Sequence, residues 1–343
     1  MLSTLGCASG DPVTGAPAPL LDVEDLSISV RRGVPLVEGV SFSIGAGEAV
    51  AVVGESGCGK SLTSLAIMGL LPGNLQRNAT GRILLEGEDL SAKSPREMQD
   101  VRGNRVAMIF QDPLTSLNPV MTIGAQIMEV LEAHRDIDRA AATARTIELL
   151  DLVRIPDPQE RMHAYPHQLS GGMRQRVVIA MAMACEPQLI IADEPTTALD
   201  VTIQAQILNL LVELRRKSNL SLMLITHDLG VVCRVAERMI VMYAGSVVEA
   251  GEVSAILDGA RHPYTAGLMA ARPHGSFKRT GQRLVDIPGT VPPPTSRPKG
   301  CLFEPRCPRA QEKCRAVRPD LAADGAGHAF RCHFPIGQGE AHA

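Results

Sequence analysis

The chain has 343 residues, of which 45% are hydrophobic and 21% are charged, and its formal net charge is −3 at pH 7. This length and composition are typical of a globular protein of two or three domains. The mildly acidic net charge argues against nucleic acid as a partner, because proteins that bind nucleic acids usually carry a basic stripe. No apolar run reaches the roughly 18 residues that a membrane-spanning helix needs, so any contact with a membrane is expected to go through another subunit.

The N-terminal region contains an irregular tail followed by two strands. Residues 1–19 consist largely of Gly, Ala, Pro, Ser and Thr, and they predict a disordered tail. No basic or apolar signal region precedes Cys7, so we expect a cytosolic chain without structural disulfides. Imperfect alternation of apolar residues then predicts strands over Leu21–Val30 and Val34–Ile44.

A phosphate-binding loop follows the apolar strand Ala49–Val53, with the spacing Gly54-x-x-x-x-Gly59-Lys60-Ser61. Glycines let successive N–H groups point at phosphate oxygens, Lys60 adds charge at the β- and γ-phosphates, and the Ser61 hydroxyl can bind Mg²⁺. The helix predicted over Leu62–Leu70 would point its positive end at the same phosphates. The loop therefore predicts binding of a nucleoside triphosphate. The residues expected to bind it are Gly54, Glu55, Ser56, Gly57, Cys58, Gly59, Lys60, Ser61 and Leu62, with only the backbone of Cys58 implicated.

The rest of the chain alternates between strands and helices. The predicted elements are strands at 81–85 and 106–110, an inserted helical lobe at about 112–175, a strand at 188–192, a helix at 201–217, a strand at 220–225 and a hairpin at 239–250. This alternation predicts an α/β fold with a mostly parallel sheet, whose ligands lie at the carboxyl ends of the strands. Lys60, Asp193 and His227 all follow apolar strands, so we expect them to form one site.

Two acidic residues, Asp193 and Glu194, end one of these strands. Asp193 is suited to hold Mg²⁺, and Glu194 to orient and deprotonate a water molecule beside the γ-phosphate. Adjacent acids at the end of a strand are often only solvated turn residues. Their presence together with a phosphate-binding loop favours the catalytic interpretation.

A second helix start carries two glycines. Ser170 can cap the helix predicted over 174–184, and Gly171 and Gly172 permit a ligand to approach the free N–H groups. This segment is either a second phosphate-binding surface or simply a capped helix.

Further segments occur in the order typical of one family. Leu169-Ser170-Gly171-Gly172 resembles its signature, and Gln111 resembles the glutamine that contacts Mg²⁺ and the attacking water. Residues 198–200, ending in Asp200, resemble the loop that meets the opposite subunit, and His227 resembles the switch histidine at the γ-phosphate. Over roughly residues 20–270 the chain therefore resembles the nucleotide-binding subunit of an ATP-binding cassette (ABC) transporter.

The resemblance implies a P-loop NTPase fold over residues 20–260. Its RecA-like core is a mostly parallel sheet, joined by an antiparallel β subdomain and the inserted helical subdomain. The resemblance also implies ATP hydrolysis, with Glu194, His227 and Gln111 as the catalytic residues. Mg²⁺ would be held through Ser61, Gln111 and Asp193.

The resemblance further implies a head-to-tail dimer with a second, homologous ATPase subunit. The residues expected to contact the partner's nucleotide are Gln168, Ser170, Gly171 and Gly172, with Asp200 in the dimer loop. The other implied partners are two transmembrane permease subunits and an extracytoplasmic solute-binding protein. The chain would then lie at the cytoplasmic face of the cell membrane, as a peripheral subunit.

One position departs from the family pattern. The family usually has an aromatic residue near the end of the first strand, where it stacks on adenine, but Val30 occupies that place here. Aromatic residues make up only 3% of the chain, so no substitute is evident and base stacking is expected to be weak.

The C-terminal segment, residues 261–343, is expected to be separate from the ATPase domain and attached by Pro-rich extended chain. Four cysteines cluster in it: Cys301, Cys307, Cys314 and Cys332. In a reducing compartment such a cluster indicates a metal or iron–sulfur site, although it lacks the Cys-x-x-Cys spacing usual for zinc. The segment resembles the C-terminal extension of dipeptide and oligopeptide importer ATPases, some of which carry a [4Fe–4S] cluster. Zinc and no metal remain the alternatives.

The leading functional prediction is therefore the ATPase of a di- or oligopeptide importer. An importer of nickel or another small solute is the alternative within transport. An ABC protein acting on DNA or ribosomes should show basic patches or two cassettes in one chain, and this sequence shows one cassette and an acidic balance. A P-loop kinase would leave the segment Leu169 to Met173 unexplained.

Overall fold

The structure is a computed structural model that describes residues 18–30, 33–197, 199–271, 287–324 and 327–337. Nearly all of the predicted tail and Ala198 of the predicted dimer loop lie outside these residues. The strands are β1 (Leu21–Val30), β2 (Val34–Ile44), β3 (Ala49–Val53), β4 (Ala79–Leu85), β5 (Glu88–Asp89), β6 (Val106–Ile109), β7 (Leu189–Asp193), β8 (Ser221–Thr226), β9 (Arg238–Tyr243), β10 (Ser246–Glu252), β11 (Ala322–Ala323) and β12 (Ala329–Phe330).

The helices alternate with these strands. They are α1 (Lys60–Ile67), α2 (Gly73–Gln76), α3 (Glu97–Val101), α4 (Pro113–Ser116), α5 (Ile123–His134), α6 (Arg139–Leu152), α7 (Pro158–Arg161), α8 (Gly171–Met183), α9 (Val201–Ser218), α10 (Leu229–Val235), α11 (Val253–Asp258), α12 (Pro263–Ala270) and α13 (Glu312–Ala316). Among the described residues, no helix has both the length and the apolar character needed to cross a bilayer.

A sheet with the strand order β11-β12-β10-β9-β3-β8-β7-β6 forms the centre of the molecule. The pairs from β6 through β7, β8 and β3 to β9 are parallel, and β9 and β10 form an antiparallel hairpin. Strands β3, β7 and β8 are buried along their whole length, as their continuous apolar sequences require when helices cover both faces. The predicted α/β fold and the predicted hairpin are confirmed.

A second sheet, with the order β2-β1-β4-β5, is antiparallel throughout. It is the predicted β subdomain, and its apolar residues share one hydrophobic core with strands of the central sheet. The bounds of β1 and β2 agree with the prediction residue for residue.

The predicted helical lobe lies between β6 and β7 and contains α4 to α7 before α8 begins. Thr122 and Asp138 accept hydrogen bonds from the first turns of α5 and α6, which explains where these helices start. Helix α1 starts at Lys60 and ends at Ile67, earlier than predicted, because Gly69 beyond it takes a left-handed φ of +61° that ends the helix.

The C-terminal extension differs from its prediction as a separate segment. Residues 287–300 do form extended chain with one short 3-10 turn, Pro294–Ser296. Beyond them, however, β12 pairs with β10 of the central sheet, and Phe303 packs with Tyr243 and Tyr264 in one buried cluster. The extension is joined to the core because packing these large aromatic side chains together removes their apolar surface from water.

Candidate functional site

The phosphate-binding loop connects β3 to α1 and has a shape that only glycine allows at its first position. Gly54 has a φ of +153°, and a Cβ built there would lie 2.2 Å from the carbonyl oxygen of Met242. Lys60, the first residue of α1, is buried, and its Nζ donates hydrogen bonds to the carbonyl oxygens of Gly54 (2.8 Å) and Glu55 (3.1 Å). The ammonium group therefore lies over the loop, where phosphates would bind.

The remaining loop residues divide into an open face and a buried face. Ser56, Gly57 and Ser61 are exposed, whereas the side chain of Cys58 is buried and burial raises the pKa of its thiol. Leu62, in the first turn of α1, is half-buried. The expectation that Cys58 contributes only its backbone agrees with this burial.

Asp193 ends β7 and is buried beside Ser61. Burial raises the pKa of its carboxyl group, and a hydrogen bond with the Ser61 side chain lowers it. Within the described residues the Oδ1 atom of Asp193 is buried and has no hydrogen-bond partner. A buried carboxylate oxygen without a partner, next to a hydroxyl group, is the donor set that a hard cation such as Mg²⁺ prefers.

Glu194 lies at the centre of a second set of contacts. Its Oε2 accepts hydrogen bonds from Gln111 Nε2 (3.1 Å) and Thr197 Oγ1 (3.0 Å), and its Oε1 lies 3.2 Å from His227 Nδ1. Burial raises the pKa of the Glu194 carboxyl group, but the hydrogen bonds with His227 and Thr197 outweigh burial, so the pKa is lowered. The Glu194 carboxyl group therefore has a lowered pKa and fixed neighbours, and its role as a base stays a prediction.

The sheet explains why these three catalytic candidates meet. Gln111 follows β6, Glu194 follows β7 and His227 follows β8, and these strands are parallel neighbours. Their carboxyl ends lie at one edge of the sheet. The site predicted from the strand ends comprised Lys60, Asp193 and His227, and it stays a prediction.

The signature segment lies apart from the phosphate loop of its own chain. Ser170 caps α8 by accepting a hydrogen bond from the Met173 N–H, and Gln168 accepts one from the Tyr165 N–H. In the described part of the chain, no hydrogen bond joins these residues to the loop that starts at Gly54. Gly172 is buried instead against helix α9, whereas Gly171 is exposed.

Asp200 caps helix α9 by accepting a hydrogen bond from the Ile203 N–H at 2.9 Å. Its side chain is exposed at the helix start. The predicted cap is confirmed, and a role for Asp200 in a dimer stays a prediction.

The four C-terminal cysteines surround one small cavity of about 10 Å³, which His262 and His333 also line. Burial raises the pKa of Cys301 and Cys307, and it raises that of Cys332 to about 11. Within the described ranges, no group of three or more His, Cys, Asp or Glu side chains is arranged to hold a metal ion. The [4Fe–4S] cluster thus stays a prediction.

Val30, in the place of the family's aromatic residue, ends β1 opposite Val34 and is half-buried. It packs against the core shared by the two sheets. Weak stacking on adenine at this position stays a prediction.

Two functional candidates were missed in the sequence. Arg306 and Tyr264, from the C-terminal part of the chain, both contact Glu55 of the phosphate loop. No motif signals these contacts. The sequence hints are that Tyr264 lies in the stretch Arg261-His262-Pro263-Tyr264-Thr265 and Arg306 in the stretch Glu304-Pro305-Arg306-Cys307-Pro308, both of which resemble the C-terminal extension of peptide importer ATPases.

The fold and this site define a P-loop NTPase. The ABC transporter family model matches residues 37–197, and the model of the oligopeptide/dipeptide transporter C-terminal region matches residues 248–314. The dipeptide transport ATP-binding protein DppD of Escherichia coli (strain K12) is 51% identical over 322 residues, which cover 92% of this chain and 97% of that protein. DppD of Bacillus subtilis (strain 168) is 49% identical over 316 residues, covering 91% and 94%.

Solved structures give the same result. The dimeric post-hydrolysis structure of the ATP-binding cassette MJ0796 bound to ADP and Pi has a TM-score of 0.60 and 26% identity, and covers 68% of this chain and 98% of that one. The structure of cbiO1 from Clostridium perfringens, part of the ABC transporter complex cbiONQ, has a TM-score of 0.61 and 26% identity, covering 69% and 90%. The chain therefore belongs to the ABC transporter family, as an ATP-hydrolysing member of its oligopeptide and dipeptide transporter group.

Proposed function

We propose that the chain is the ATPase subunit of a membrane-associated importer of di- and oligopeptides. The observation that carries this proposal is the ionised Glu194, held between Gln111 and His227 at the edge of the phosphate site. The solute class is supported by similarity to dipeptide transport proteins over 92% of the chain, including the C-terminal extension.

The proposed reaction is in-line attack of water on the γ-phosphorus of ATP. Glu194 accepts the water proton, Gln111 orients the water, and His227 contacts the γ-phosphate. Lys60 neutralises charge on the β- and γ-phosphates, and ADP leaves with its oxygen bonded to the β-phosphorus.

Mg²⁺ fits the unpaired oxygen of Asp193. Ser61, Asp193 and Gln111 would hold the ion. When bound, Mg²⁺ supplies positive charge to the phosphate oxygens. Without the ion, the Oδ1 atom of Asp193 would stay buried and unpaired beside the phosphates, so we expect removal of Mg²⁺ to weaken ATP binding.

A head-to-tail dimer with a homologous ATPase subunit would complete the site. Ser170, Gly171, Gly172 and Gln168 would contact the nucleotide of the partner, and Asp200 would lie in the interface. Two observations support this proposal. The helix start at Ser170 is exposed, and it makes no hydrogen bond to the phosphate loop in the described part of its own chain.

Two transmembrane permease subunits are the proposed membrane partners, with an extracytoplasmic solute-binding protein on the other side of the membrane. A groove of about 540 Å³ between the sheet and the helical lobe is lined by Leu70, Met108, Phe110 and Met181. Phe110, an exposed aromatic residue, directly precedes Gln111. An apolar cytoplasmic helix of a permease seated here would act on the catalytic glutamine directly. The chain is therefore proposed to work at the cytoplasmic face of the membrane.

The C-terminal cysteines are proposed to hold a [4Fe–4S] cluster. The support is that four cysteines line one cavity. Because the described side chains are not arranged to hold a metal ion, the proposal requires the four cysteines to move when the cluster binds. Anaerobically purified protein is expected to contain iron and acid-labile sulfide. Zinc alone, or no metal, would favour one of the alternatives instead.

The test of the proposed function is uptake of labelled dipeptides, oligopeptides and nickel in cells that carry wild type or Glu194→Gln. The amide cannot accept the water proton, so the variant should bind ATP but lose about 100-fold or more in kcat, together with peptide uptake. Glu148→Gln is the matched control, because Glu148 is exposed on α6. Loss of nickel uptake alone would identify a nickel importer, and unchanged uptake of every solute would overturn the transporter proposal.

A further inference from the structure

The phosphate loop is tied to the C-terminal extension by a two-pronged ion pair. Arg306 Nη1 donates to Glu55 Oε2 at 2.6 Å, and Arg306 Nη2 donates to Glu55 Oε1 at 3.0 Å. The two residues are 251 positions apart in the chain. A planar guanidinium that binds both oxygens of a carboxylate fixes the orientation of that carboxylate as well as its distance.

Arg306 is a rigid anchor for this contact. Its side chain is only 5% exposed, compared with 29% for Glu55. Its Nε donates to the Pro288 carbonyl at 2.9 Å and its Nη2 to the Ile287 carbonyl at 3.1 Å. Because the extension holds the guanidinium on several sides, Glu55 must adjust to Arg306, and not the reverse.

The backbone of Glu55 is held as well. Its N–H donates to the hydroxyl of Tyr264 at 2.8 Å. Tyr264 is fully buried and packs against Tyr243 and Phe303, with ring centroids 4.6 and 5.4 Å away. The backbone and the side chain of Glu55 are thus held by Tyr264 and Arg306. Both of these residues lie after residue 197, where the match to the ABC transporter model ends.

The orientation of Glu55 matters for the phosphate site, because its carbonyl oxygen accepts a hydrogen bond from Lys60 Nζ at 3.1 Å. A change in the orientation of Glu55 would therefore move the group that steadies the phosphate-binding ammonium. It would also leave an unpaired carboxylate beside the place where ATP brings its own negative charge.

We propose that Arg306 is a positioning residue for ATP binding. It neutralises Glu55 and fixes the first turn of the phosphate loop, so the C-terminal extension is part of the nucleotide site without contacting the nucleotide. This inference rests on the proposed ATP site at Lys60 and extends it by one residue outside the cassette motifs.

The experiment compares Arg306→Lys, Arg306→Gln and Glu55→Gln with wild type. Equilibrium binding of MgATP is measured on the full chain, and KM and kcat are measured in the assembled transporter. Arg306→Lys keeps the positive charge but cannot bind both oxygens of the Glu55 carboxylate in the same way. We expect the MgATP Kd and the KM to rise by about tenfold in each variant, which is a typical size for coupling between two sites. We expect kcat to stay within about twofold of the wild-type value, because Glu194 and His227 are unchanged.

The matched control is Arg315→Gln. Arg315 lies on the same extension and pairs with Glu304 at 3.0 Å, but its side chain is 68% exposed. This variant should bind MgATP as wild type does. In the double variant Glu55→Gln, Arg306→Gln, the rise in the MgATP Kd should be smaller than the product of the rises in the two single variants. The effects should not add, since both substitutions remove the same contact.

Three outcomes separate the possibilities. A folded Arg306→Lys with the wild-type Kd and KM overturns the inference. If the Arg306 variants do not fold, Glu55→Gln decides: a raised Kd with an unchanged melting temperature supports the inference, and a wild-type Kd overturns it. Lys60→Ala tests the underlying site by itself, because MgATP binding that survives this change would remove the proposed ATP site, whatever Arg306 does.

Discussion

Glu194 has a backbone φ of +46°, a left-handed value that residues with a Cβ rarely adopt. Its N–H donates to the Ile225 carbonyl at 2.9 Å, and its carboxylate is held by Gln111, His227 and Thr197. Strain of this kind costs on the order of 1–3 kcal/mol and persists where neighbouring contacts impose it. At the scale of single residues, the contacts of Glu194 therefore fix the orientation of its carboxylate, and its strained backbone lowers the free energy of unfolding.

The pKa of Glu194 gives a prediction about pH. His227→Ala removes a hydrogen bond that lowers this pKa, so the pKa of Glu194 should rise. In the proposed reaction, hydrolysis needs the ionised carboxylate of Glu194, which predominates above its pKa. The acidic limb of the kcat–pH profile should therefore move to higher pH.

The measurement is the ATPase rate of the assembled complex between about pH 3.5 and pH 9, because the lowered pKa of Glu194 places the acidic limb of the wild type at low pH. His163→Ala serves as the control because His163 is exposed in the helical lobe. An acidic limb that stays in place in His227→Ala would show that His227 does not tune Glu194.

At the scale of helices and strands, helices α8 and α9 are packed through a glycine. A Cβ built on Gly172 would lie 2.7 Å from Ile203 Cγ2, closer than such atoms approach in real proteins. At Gly171 the nearest atom, on Leu199, would be an ordinary 3.5 Å away. The packing of α8 and α9 thus leaves no room for a side chain at Gly172, whereas it does leave room at Gly171.

This difference predicts opposite results for two substitutions. Gly172→Ala should lower the free energy of unfolding by about 1–3 kcal/mol through overpacking, whereas Gly171→Ala should change it by less than about 0.5 kcal/mol. Adding Ile203→Ala to Gly172→Ala removes the colliding methyl group and should recover part of the loss. Urea unfolding of the four proteins measures these effects. Equal stability of the two alanine variants would mean that Gly172 is not constrained by α9.

At the scale of the whole molecule, the C-terminal extension completes the hydrophobic core. Phe303 is 2% exposed, and its ring lies 5.2 Å from that of Tyr243 on β9. Glu249 on β10 is fully buried and accepts hydrogen bonds from the Arg261 N–H and the His262 N–H. The ATPase core and the extension should therefore unfold together.

Phe303→Ala tests this cooperativity. Removing a buried phenyl ring should cost about 3–5 kcal/mol, and it should reduce hydrogen-exchange protection in β9 and α12 as well as in the extension. Val317→Ala is the control, because Val317 is an apolar residue of the same extension that is 52% exposed. Two separate unfolding transitions, with the protection of β9 unchanged, would contradict a shared core.

Local patterns predicted most of the fold and named the residues of the candidate site. The bounds of β1 and β2, the hairpin of β9 and β10, and the caps Ser170 and Asp200 depend on residues close together in the chain. The meeting of Gln111, Glu194 and His227 could also be anticipated, because parallel strands carry their ends to one edge.

Contacts between distant, irregular segments could not be predicted in this way. Arg306 meets Glu55 through a chain with no periodicity, and each residue taken alone is an ordinary surface charge. The packing of Phe303 on Tyr243 likewise joins two segments that are distant in the chain. Only the folded chain brings such pairs together, and the sequence carries no spacing rule for them.

The close packing of Gly172 on Ile203 makes the starts of α8 and α9 one mechanical unit. Ser170 precedes the first of these helices and Asp200 precedes the second, so neither can be displaced without the other. Because the two helix starts are in contact, we expect a displacement of Ser170 to be accompanied by a displacement of Asp200. One movement of these helices would then change two exposed positions together.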